Sequence, residues 1–380
     1  MSTRRNADAK PRALRPAVDG LEPRALLSIG AVRPAEVHAL GSHGARRLST
    51  IDQVARAGTA EVSTVPANGD VNPYGVAFVP SRFPAGGTLG TGDVLVSNFN
   101  ASTNLQGTGT TIVRITPAGQ RSVFYQGPPG VGLSTALGVL RAGYVVVGSL
   151  PSTDGTSATA GQGSLLILDR SGKLVQTLTD PALLNGPWDL TVNDLGSRAQ
   201  VFVSNALSGA VTRINLSFPS AGGVRVMSTV QVASGYTHRG DPAAFELGPT
   251  GLAYNARTGV LYVASTADNA VYAVARAGTR STDAGTGRVI YRDGTHLHGP
   301  LGLTFVGDGN LIAAQGDAIN PSPTQTSELV EFTPSGRFVG QFSISGTAGG
   351  AFGVASGPGG TRFAAVNDIN NAVRIVAIRP

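Results

Sequence analysis

The 380-residue chain contains no cysteine. Disulfide bonds, thiolate catalysis and metal sites with thiolate ligands are therefore excluded. The sequence also lacks long stretches in which apolar residues recur at the 3.6-residue spacing of an amphipathic helix. No apolar run reaches the roughly 18 residues that a membrane-spanning helix needs. These absences predict a soluble, non-helical body without a membrane span.

Glycine, by contrast, is abundant, with 52 residues. This favours an all-β body with many tight turns. Residues 248–278 (GPTGLAYNARTGVLYVASTADNAVYAVARAG) predict three short strands: Gly251 to Tyr254, Val260 to Ala264 and Asn269 to Ala275. Each run is short, apolar and bounded by Gly, Asn or Asp, as antiparallel strands usually are.

The same pattern recurs along the chain, with openings about 50 to 65 residues apart, slightly longer than known propeller repeats. The openings are residues 72–78, 136–140, 186–192, 248–254, 299–305 and 351–355. Five units have a fourth, outer strand, whereas the last ends after its third strand, Ala372 to Ile378. We predict a six-bladed β-propeller over residues 58–380, in which Ala60 to Val65 completes the last blade beside Val373 and closes the ring.

Residues 1–57 form a basic segment, with 10 Lys+Arg against 5 Asp+Glu, whereas residues 58–380 hold 19 against 18. We expect most of this segment to be disordered, with a short helix over Ser49 to Ala57. Because the body carries almost no excess charge, we expect no nucleic-acid partner.

Residues 21–28 (LEPRALLS) resemble the LEPR-XLL motif found near the N-terminus of large bacterial surface proteins. The resemblance implies export to the cell surface or the extracellular medium. The alternative is a chance match in a low-complexity tail.

The repeat itself reads Pro-x-Gly-apolar-Ala, a strand, Asp or Asn, and then Asn-x-Val with alternating apolar residues. It resembles the NHL repeat and the wider group of gluconolactonase-like six-bladed propellers. The resemblance implies that the loops entering each blade and the ends of the second strands line one mouth of a central channel.

Two of these entering loops contain His238, Glu246, His296 and His298. Such a cluster could act as acid and base near neutral pH, so we take these four as candidate catalytic residues. They could instead bind a divalent cation, or be ordinary polar loop residues.

Asp189 is a second candidate, because the other openings have glycine at the position we align with it. These glycines are Gly75, Gly138, Gly251, Gly302 and Gly353. A carboxylate there would point into the channel, with Trp188 beside it as the wall of a ligand site. Alternatively, Asp189 accepts hydrogen bonds from turn amides and Trp188 fills a gap between blades.

Amide and carboxylate side chains also follow several second strands, and such oxygens suit a hard cation like calcium. We predict Asn98 and Asn205 as ligand-binding residues and Asp189, Asp317, Asn367 and Asp368 as metal ligands. The alternative is that Asn and Asp occur there as ordinary turn residues.

Two functions remain open. The first is a monomeric, exported binding module for a protein, glycan or small-molecule ligand. The alternative is a metal-dependent hydrolase, lactonase or lyase with its site at the channel mouth. The resemblance implies a cation held by Glu, Asn and Asp in the lactonases, and a catalytic His in the similarly shaped streptogramin lyases.

Overall fold

The computed structural model describes residues 48–316, 318–322, 324, 328–347 and 349–379. Within them, 24 of the 26 strands form six four-stranded antiparallel sheets, and the other two form a hairpin. Each sheet is one blade of a propeller. The predicted all-β, six-bladed fold is therefore confirmed.

In each of the first five blades the strands lie in sequence order from the channel outward. Blade 1 contains β2 (Val71–Phe78), β3 (Val94–Asn100), β4 (Thr111–Ile115) and β5 (Arg121–Gln126); blade 2 contains β6 (Leu133–Leu140), β7 (Tyr144–Ser149), β8 (Ser164–Asp169) and β9 (Leu174–Leu178); blade 3 contains β10 (Pro187–Asp194), β11 (Arg198–Asn205), β12 (Ala210–Ser217) and β13 (Arg225–Ser234).

After blade 3 the chain forms a short hairpin, β14 (Arg239–Asp241) and β15 (Phe245–Leu247), before it enters blade 4. Blade 4 contains β16 (Pro249–Asn255), β17 (Val260–Ser265), β18 (Ala270–Val274) and β19 (Arg288–Tyr291); blade 5 contains β20 (Pro300–Phe305), β21 (Leu311–Gln315), β22 (Glu328–Phe332) and β23 (Phe338–Ser343); blade 6 contains β24 (Ala351–Ser356), β25 (Arg362–Asn367) and β26 (Ala372–Ala377).

The fourth strand of blade 6 is β1 (Glu61–Ser63), from the other end of the described chain. Val62 lies opposite Val373, as predicted. Apolar clusters then lie between each pair of neighbouring blades, including blades 6 and 1, where Val366 and Val373 pack against Val96 and Val113. The ring is thus closed by strand pairing and by a continuous series of inter-blade cores.

The second and third strands of each blade are joined by turns that explain the recurrent Asn of the repeat. Asn269 and Asn371 both have φ +48°, a left-handed conformation that Asn tolerates better than most residues. Their side chains also hold the next inner strand, since Asn269 Oδ1 accepts from Gly299 N–H at 2.8 Å and Asn371 Oδ1 from Asn72 N–H at 2.6 Å. One residue type therefore serves both the turn and the blade-to-blade connection.

The expected short helix is present as α1 (Thr50–Arg56), capped by Ser49, whose side chain accepts from Asp52 N–H. Its apolar face, Ile51 and Val54, is buried with residues of blades 5 and 6. None of the described helices is long and apolar enough to cross a membrane.

We predict that Val62→Pro lowers the free energy of unfolding by about 2–4 kcal/mol, because it removes a hydrogen bond of the closing ladder. Thr64 N–H donates to Asn371 O at 2.9 Å. Amides two residues apart in an antiparallel strand point the same way, so Val62 N–H also faces β26. Urea unfolding monitored by the emission of Trp188 measures the loss.

Ser63→Pro is the matched control, because the intervening Ser63 N–H points away from β26 and Ser63 is exposed. Its loss should be less than half that of Val62→Pro. Equal losses would show that pairing with β26 is not what closes the ring.

Candidate functional site

The inner strands come closest together at one ring of positions near their start. The ring consists of Gly75, Ala136, Asp189, Gly251, Gly302 and Gly353. A Cβ on Gly251 would lie 2.2 Å from Leu301 O, and one on Gly353 would lie 1.9 Å from Tyr74 O. Small residues are therefore required here, and Asp189 is the exception.

Our alignment of Gly138 with this ring is wrong. The bulge at the start of β6 contains one residue more than that of β2, because Leu133 to Leu137 faces the two-residue step Ser149 to Val147. The extra residue places Ala136 in the ring and Gly138 two positions further on.

Asp189 lines the channel, where it borders two cavities. Asp189 Oδ1 accepts from the adjacent Leu190 N–H at 2.7 Å, so the alternative hydrogen bond to a local amide also exists. Its own N–H donates to Ser204 Oγ at 3.0 Å. Burial raises the pKa of Asp189 to about 7, although amide hydrogen bonds from Leu190 and Leu252 oppose the shift.

Asp189 lies between two cavities of the channel. We call the end of the channel at which the inner strands begin the upper end. On that side of Asp189 is a cavity of about 30 Å³, which Trp188, Tyr74 and Phe352 also line. Below it the channel widens to about 200 Å³ between Leu190, Leu252 and Val354. The upper cavity has room for only about two water molecules, so a larger ligand fits beside Asp189 only in the lower cavity.

The upper mouth is closed by an aromatic cap, which consists of Tyr74, Phe99, Trp188, Phe245 and Phe352. Trp188 stacks on Phe245 with ring centroids 5.8 Å apart, and Tyr74 stacks on Phe352 at 4.3 Å. Phe245 belongs to the β14–β15 hairpin, is fully buried and has φ +65°. The hairpin thus inserts one side chain over the channel, and the burial of that ring offsets its backbone strain.

Sequence reasoning missed this cap. The available signal was the position before the small-residue ring, where Tyr74, Trp188 and Phe352 recur in blades 1, 3 and 6. Trp188 therefore stands beside Asp189, as predicted, but it is 1% exposed and belongs to the cap as well as to the cavity wall.

His238 and Glu246 are brought together by the hairpin, with His238 Nδ1 at 3.9 Å from Glu246 Oε1. His238 is exposed, whereas Glu246 is buried. Burial raises the pKa of Glu246 to about 7, against the opposing effects of a hydrogen bond from Ser157 and the charge of Arg239. Glu246 is separated from Asp189 by the aromatic cap, since its neighbour Phe245 stacks on Trp188.

The other two histidines bind local partners. His296 Nδ1 lies 2.5 Å from Asp293 Oδ2, and its ring stacks on Phe338 at 4.0 Å. His298 is buried. Its main-chain N–H donates to Gln315 Oε1 at 2.8 Å, and its ring Nδ1 contacts Asn320 O. The three predicted histidines therefore have different side-chain partners, although the side chain of Gln315 hydrogen-bonds to the main chain of both His296 and His298.

The three candidate asparagines are buried and hold neighbouring segments. Asn98 Nδ2 donates to Thr64 O at 3.0 Å, Asn205 Nδ2 to Leu183 O at 3.1 Å, and Asn367 Nδ2 to Glu61 Oε1 at 2.8 Å. Each amide thus connects the end of a second strand to another part of the chain.

Of the remaining metal candidates, Asp368 is half-buried, and burial raises its pKa to about 6. Asp317 lies outside the described residues. Within the described part of the chain, no group of three or more His, Asp or Glu side chains is arranged to hold a metal ion. The walls around Asp189 are glycine, apolar residues and threonine, so they do not supply the Glu, Asn and Asp set that the lactonase resemblance implies.

The lower end of the channel opens into a recess of about 350 Å³. Phe78, Pro80 and Pro358 line it together with Arg141 and Asp194, whose Nε and Oδ2 are 3.4 Å apart. This end was not considered in the sequence prediction, which placed the candidate site at the opposite mouth.

We predict that Asp189→Asn stabilises the protein at pH 8.5 by about 1–2 kcal/mol and has little effect at pH 4. Because the folded pKa of Asp189 is raised, its favourable contribution is complete below pH 4 and is lost as pH rises through 7. Three pKa units correspond to about 4 kcal/mol, which solvent in the channel reduces. Urea unfolding across this pH range measures the difference.

Asp293→Asn is the control of opposite sign. Burial alone would raise the pKa of Asp293, but hydrogen bonds from His296, Thr295 N–H and Tyr291 lower it below its ordinary value. Its removal should therefore destabilise the protein at neutral pH, with the loss shrinking as pH falls. If Asp189→Asn also destabilises the protein at pH 8.5, as Asp293→Asn should at neutral pH, the prediction is wrong. Burial would then not disfavour the ionised form of Asp189.

Comparison with known proteins identifies the fold. No protein-family model matches the chain, and no curated protein does. Among solved structures, a gluconolactonase from Xanthomonas campestris is 14% identical, with a TM-score of 0.50 over 82% of this chain and 87% of that chain. The calcium-binding protein regucalcin from Agrobacterium tumefaciens is 12% identical, with a TM-score of 0.50 over 83% of this chain and 93% of that chain.

A putative oxidoreductase (glucose dehydrogenase) from Thermus thermophilus is 15% identical, with a TM-score of 0.51 over 83% of this chain and 99% of that chain. At such identities the similarity shows a shared propeller fold and does not assign an activity. The gluconolactonase-like part of the predicted resemblance is thus supported at the level of fold, while the NHL assignment and the export motif stay predictions.

Proposed function

We propose that this protein is an exported β-propeller binding module that recognises a protein, glycan or small-molecule ligand through its loops. The observation that carries the proposal is the aromatic cap, which closes the channel mouth where the candidate catalytic residues were expected to converge. The polar residues around that mouth hold loops and strands together instead.

A closed ring of six blades is a rigid support, and the loops at its two ends are the variable surface on which such proteins carry binding functions. The upper loops are themselves tied down. Asp154 accepts from Thr156 and Thr159, and Ser152 Oγ donates to Thr156 O at 3.0 Å. Ordered loops lose little conformational entropy when a ligand binds, which suits a recognition surface.

The binding-module proposal predicts binding that needs neither a metal ion nor Asp189. The full-length protein is incubated with glycan and secreted-protein panels, with 1 mM calcium or with EDTA. We expect the retained partner to bind the wild type and Asp189→Asn equally under both conditions. Turnover of a lactone or ester that Asp189→Asn abolishes would contradict this proposal and favour the hydrolase alternative.

The hydrolase, lactonase or lyase alternative rests on Asp189. A carboxyl with a pKa of about 7 can accept or donate a proton at neutral pH, and the channel below it is open to solvent. The predicted metal ligands Asp189, Asp317, Asn367 and Asp368 are tested by melting temperatures measured with 1 mM calcium and with EDTA, because a bound cation would raise the melting temperature.

Export is supported by the LEPR-XLL-like residues 21–28 and by the absence of cysteine. We predict that the full-length chain expressed in its bacterial source accumulates at the cell surface or in the medium. Replacement of Glu22, Pro23 and Arg24 with alanine should retain it inside the cell, as shown by immunoblots of cell fractions. An unchanged distribution would assign no targeting role to the motif.

A further inference from the structure

The strand directions sort the loops of the propeller into two faces. Inner strands run downward from the capped mouth, so the loops from first to second strand and from third to fourth strand lie on the lower face. The loops from second to third strand, and those that enter each blade, lie on the upper face. Every blade follows this pattern.

The cations of the body lie mainly on the lower face. The lower-face cations are Arg82, Arg121, Arg141, Arg170, Lys173, Arg198, Arg225, Arg257, Arg276, Arg288, Arg337 and Arg362. All six blades contribute at least one of them, and most are exposed. They are spread over the lower face from the channel to the outer strands, and Arg141 lies at the lower opening of the channel itself.

Carboxylates dominate the opposite face. The upper-face acids include Asp70, Asp154, Asp180, Asp241, Glu246, Asp268, Asp293 and Asp368. The near-neutral total of the body, 19 cations against 18 acids, therefore hides a separation of charge. Our expectation of no nucleic-acid partner rested on that total and not on the positions of the loops.

Acids on the lower face neutralise only part of this charge. Asp194 pairs with Arg141, whereas Asp93 pairs at 2.6 Å with Arg114, a cation inside β4. Asp283 and Asp308 also belong to lower loops. Asp169 accepts hydrogen bonds from the amides of its own turn. Exposed arginines such as Arg82, Arg198 and Arg257 are left facing solvent, with a positive potential that extends about one Debye length, roughly 8 Å.

We propose that the lower face docks an acidic polysaccharide, a class of ligand within the binding-module function on which this inference rests. Guanidinium groups form paired hydrogen bonds with carboxylate and sulfate groups. Exposed Ser81, Thr258, Ser335 and Thr361 lie among the arginines and can bind sugar hydroxyls. A ring of charges around the whole face suits a long, repeating polyanion, since many weak contacts add along the polymer.

The test uses the full-length protein and alginate, a carboxylate polysaccharide, as the probe. The lower-face variant replaces Arg82, Arg198, Arg257 and Arg337 with glutamine, one arginine from each of four blades. Retention on immobilised alginate at 50 mM salt should fall at least about tenfold in apparent affinity relative to wild type. For the wild type, affinity should fall steeply between 50 and 300 mM salt.

The matched control replaces Arg4, Arg5, Arg12 and Arg15 with glutamine, which removes the same formal charge from the N-terminal segment. We expect less than a threefold loss. Two double variants, Arg82→Gln with Arg198→Gln and Arg257→Gln with Arg337→Gln, give intermediate losses even if the fourfold variant folds poorly. Melting temperature and Trp188 emission report folding in every case.

Equal losses in the lower-face variant and the control would overturn the inference while leaving the binding-module proposal intact. Wild-type binding to duplex DNA or to phosphatidylglycerol vesicles, without binding to alginate, would also overturn it. So would oligomers at 20 mM salt that alginate does not dissociate, because the acidic upper face of a second copy would then be the preferred partner.

Discussion

Pairing of β1 with β26 is the interaction on which the rest of this structure depends. Three residues, Glu61 to Ser63, supply the outer strand of a blade whose other strands come from the opposite end of the sequence. Without that pairing, blade 6 would expose an unpaired edge and the ring would end in two free faces. The core between blades 6 and 1 would also lose the contact of Val62 with its apolar cluster.

Helix α1 reinforces the same joint. At its N-terminus, Ile51 N–H donates to Glu331 Oε2 at 2.7 Å. At its C-terminus, buried Arg374 donates to Val54 O at 2.9 Å and to Ala57 O at 3.0 Å. The acid and the base thus match the helix dipole, and they belong to blades 5 and 6. Since α1 ends shortly before β1 begins, these contacts hold the chain against blades 5 and 6 next to the closing strand.

The sequence was sufficient to predict the blades, since each strand is a local pattern of apolar residues and turns. Because the last repeat has only three strands, the sequence also predicted that Ala60 to Val65 supplies the fourth. It was insufficient for the cap. The Trp188–Phe245 contact joins the inner strand of blade 3 to the hairpin that follows this blade, and no local period encodes it. The same limit explains Ala136: one extra residue in a bulge changes the alignment without changing the repeat.

Closure also explains why one position can hold a carboxylate. At the small-residue ring, the neighbouring inner strands leave no room for a Cβ on Gly251 or Gly353, whereas the main chain of β10 pairs Asp189 directly with Ser204. Ser97 performs a related role in blade 1, where its hydroxyl accepts from Gly75 N–H at 3.1 Å. In both blades the amide therefore donates to a serine hydroxyl of the second strand, and blade 3 alone has a carboxylate at this ring position.

The cap then determines what that side chain can do. Because the upper mouth is filled by aromatic rings, the carboxylate of Asp189 faces solvent and ligands through the lower opening, on the face that carries Arg141 and the exposed arginines of the lower loops. Those arginines attract anions to the face, while an ionised Asp189 repels them from the inner end of the channel. In the proposed complex a polyanion lies across the opening, and an ionised Asp189 disfavours anionic ligands deeper in the channel. The proposed polymer surface and the interior of the channel thus have opposite charge preferences.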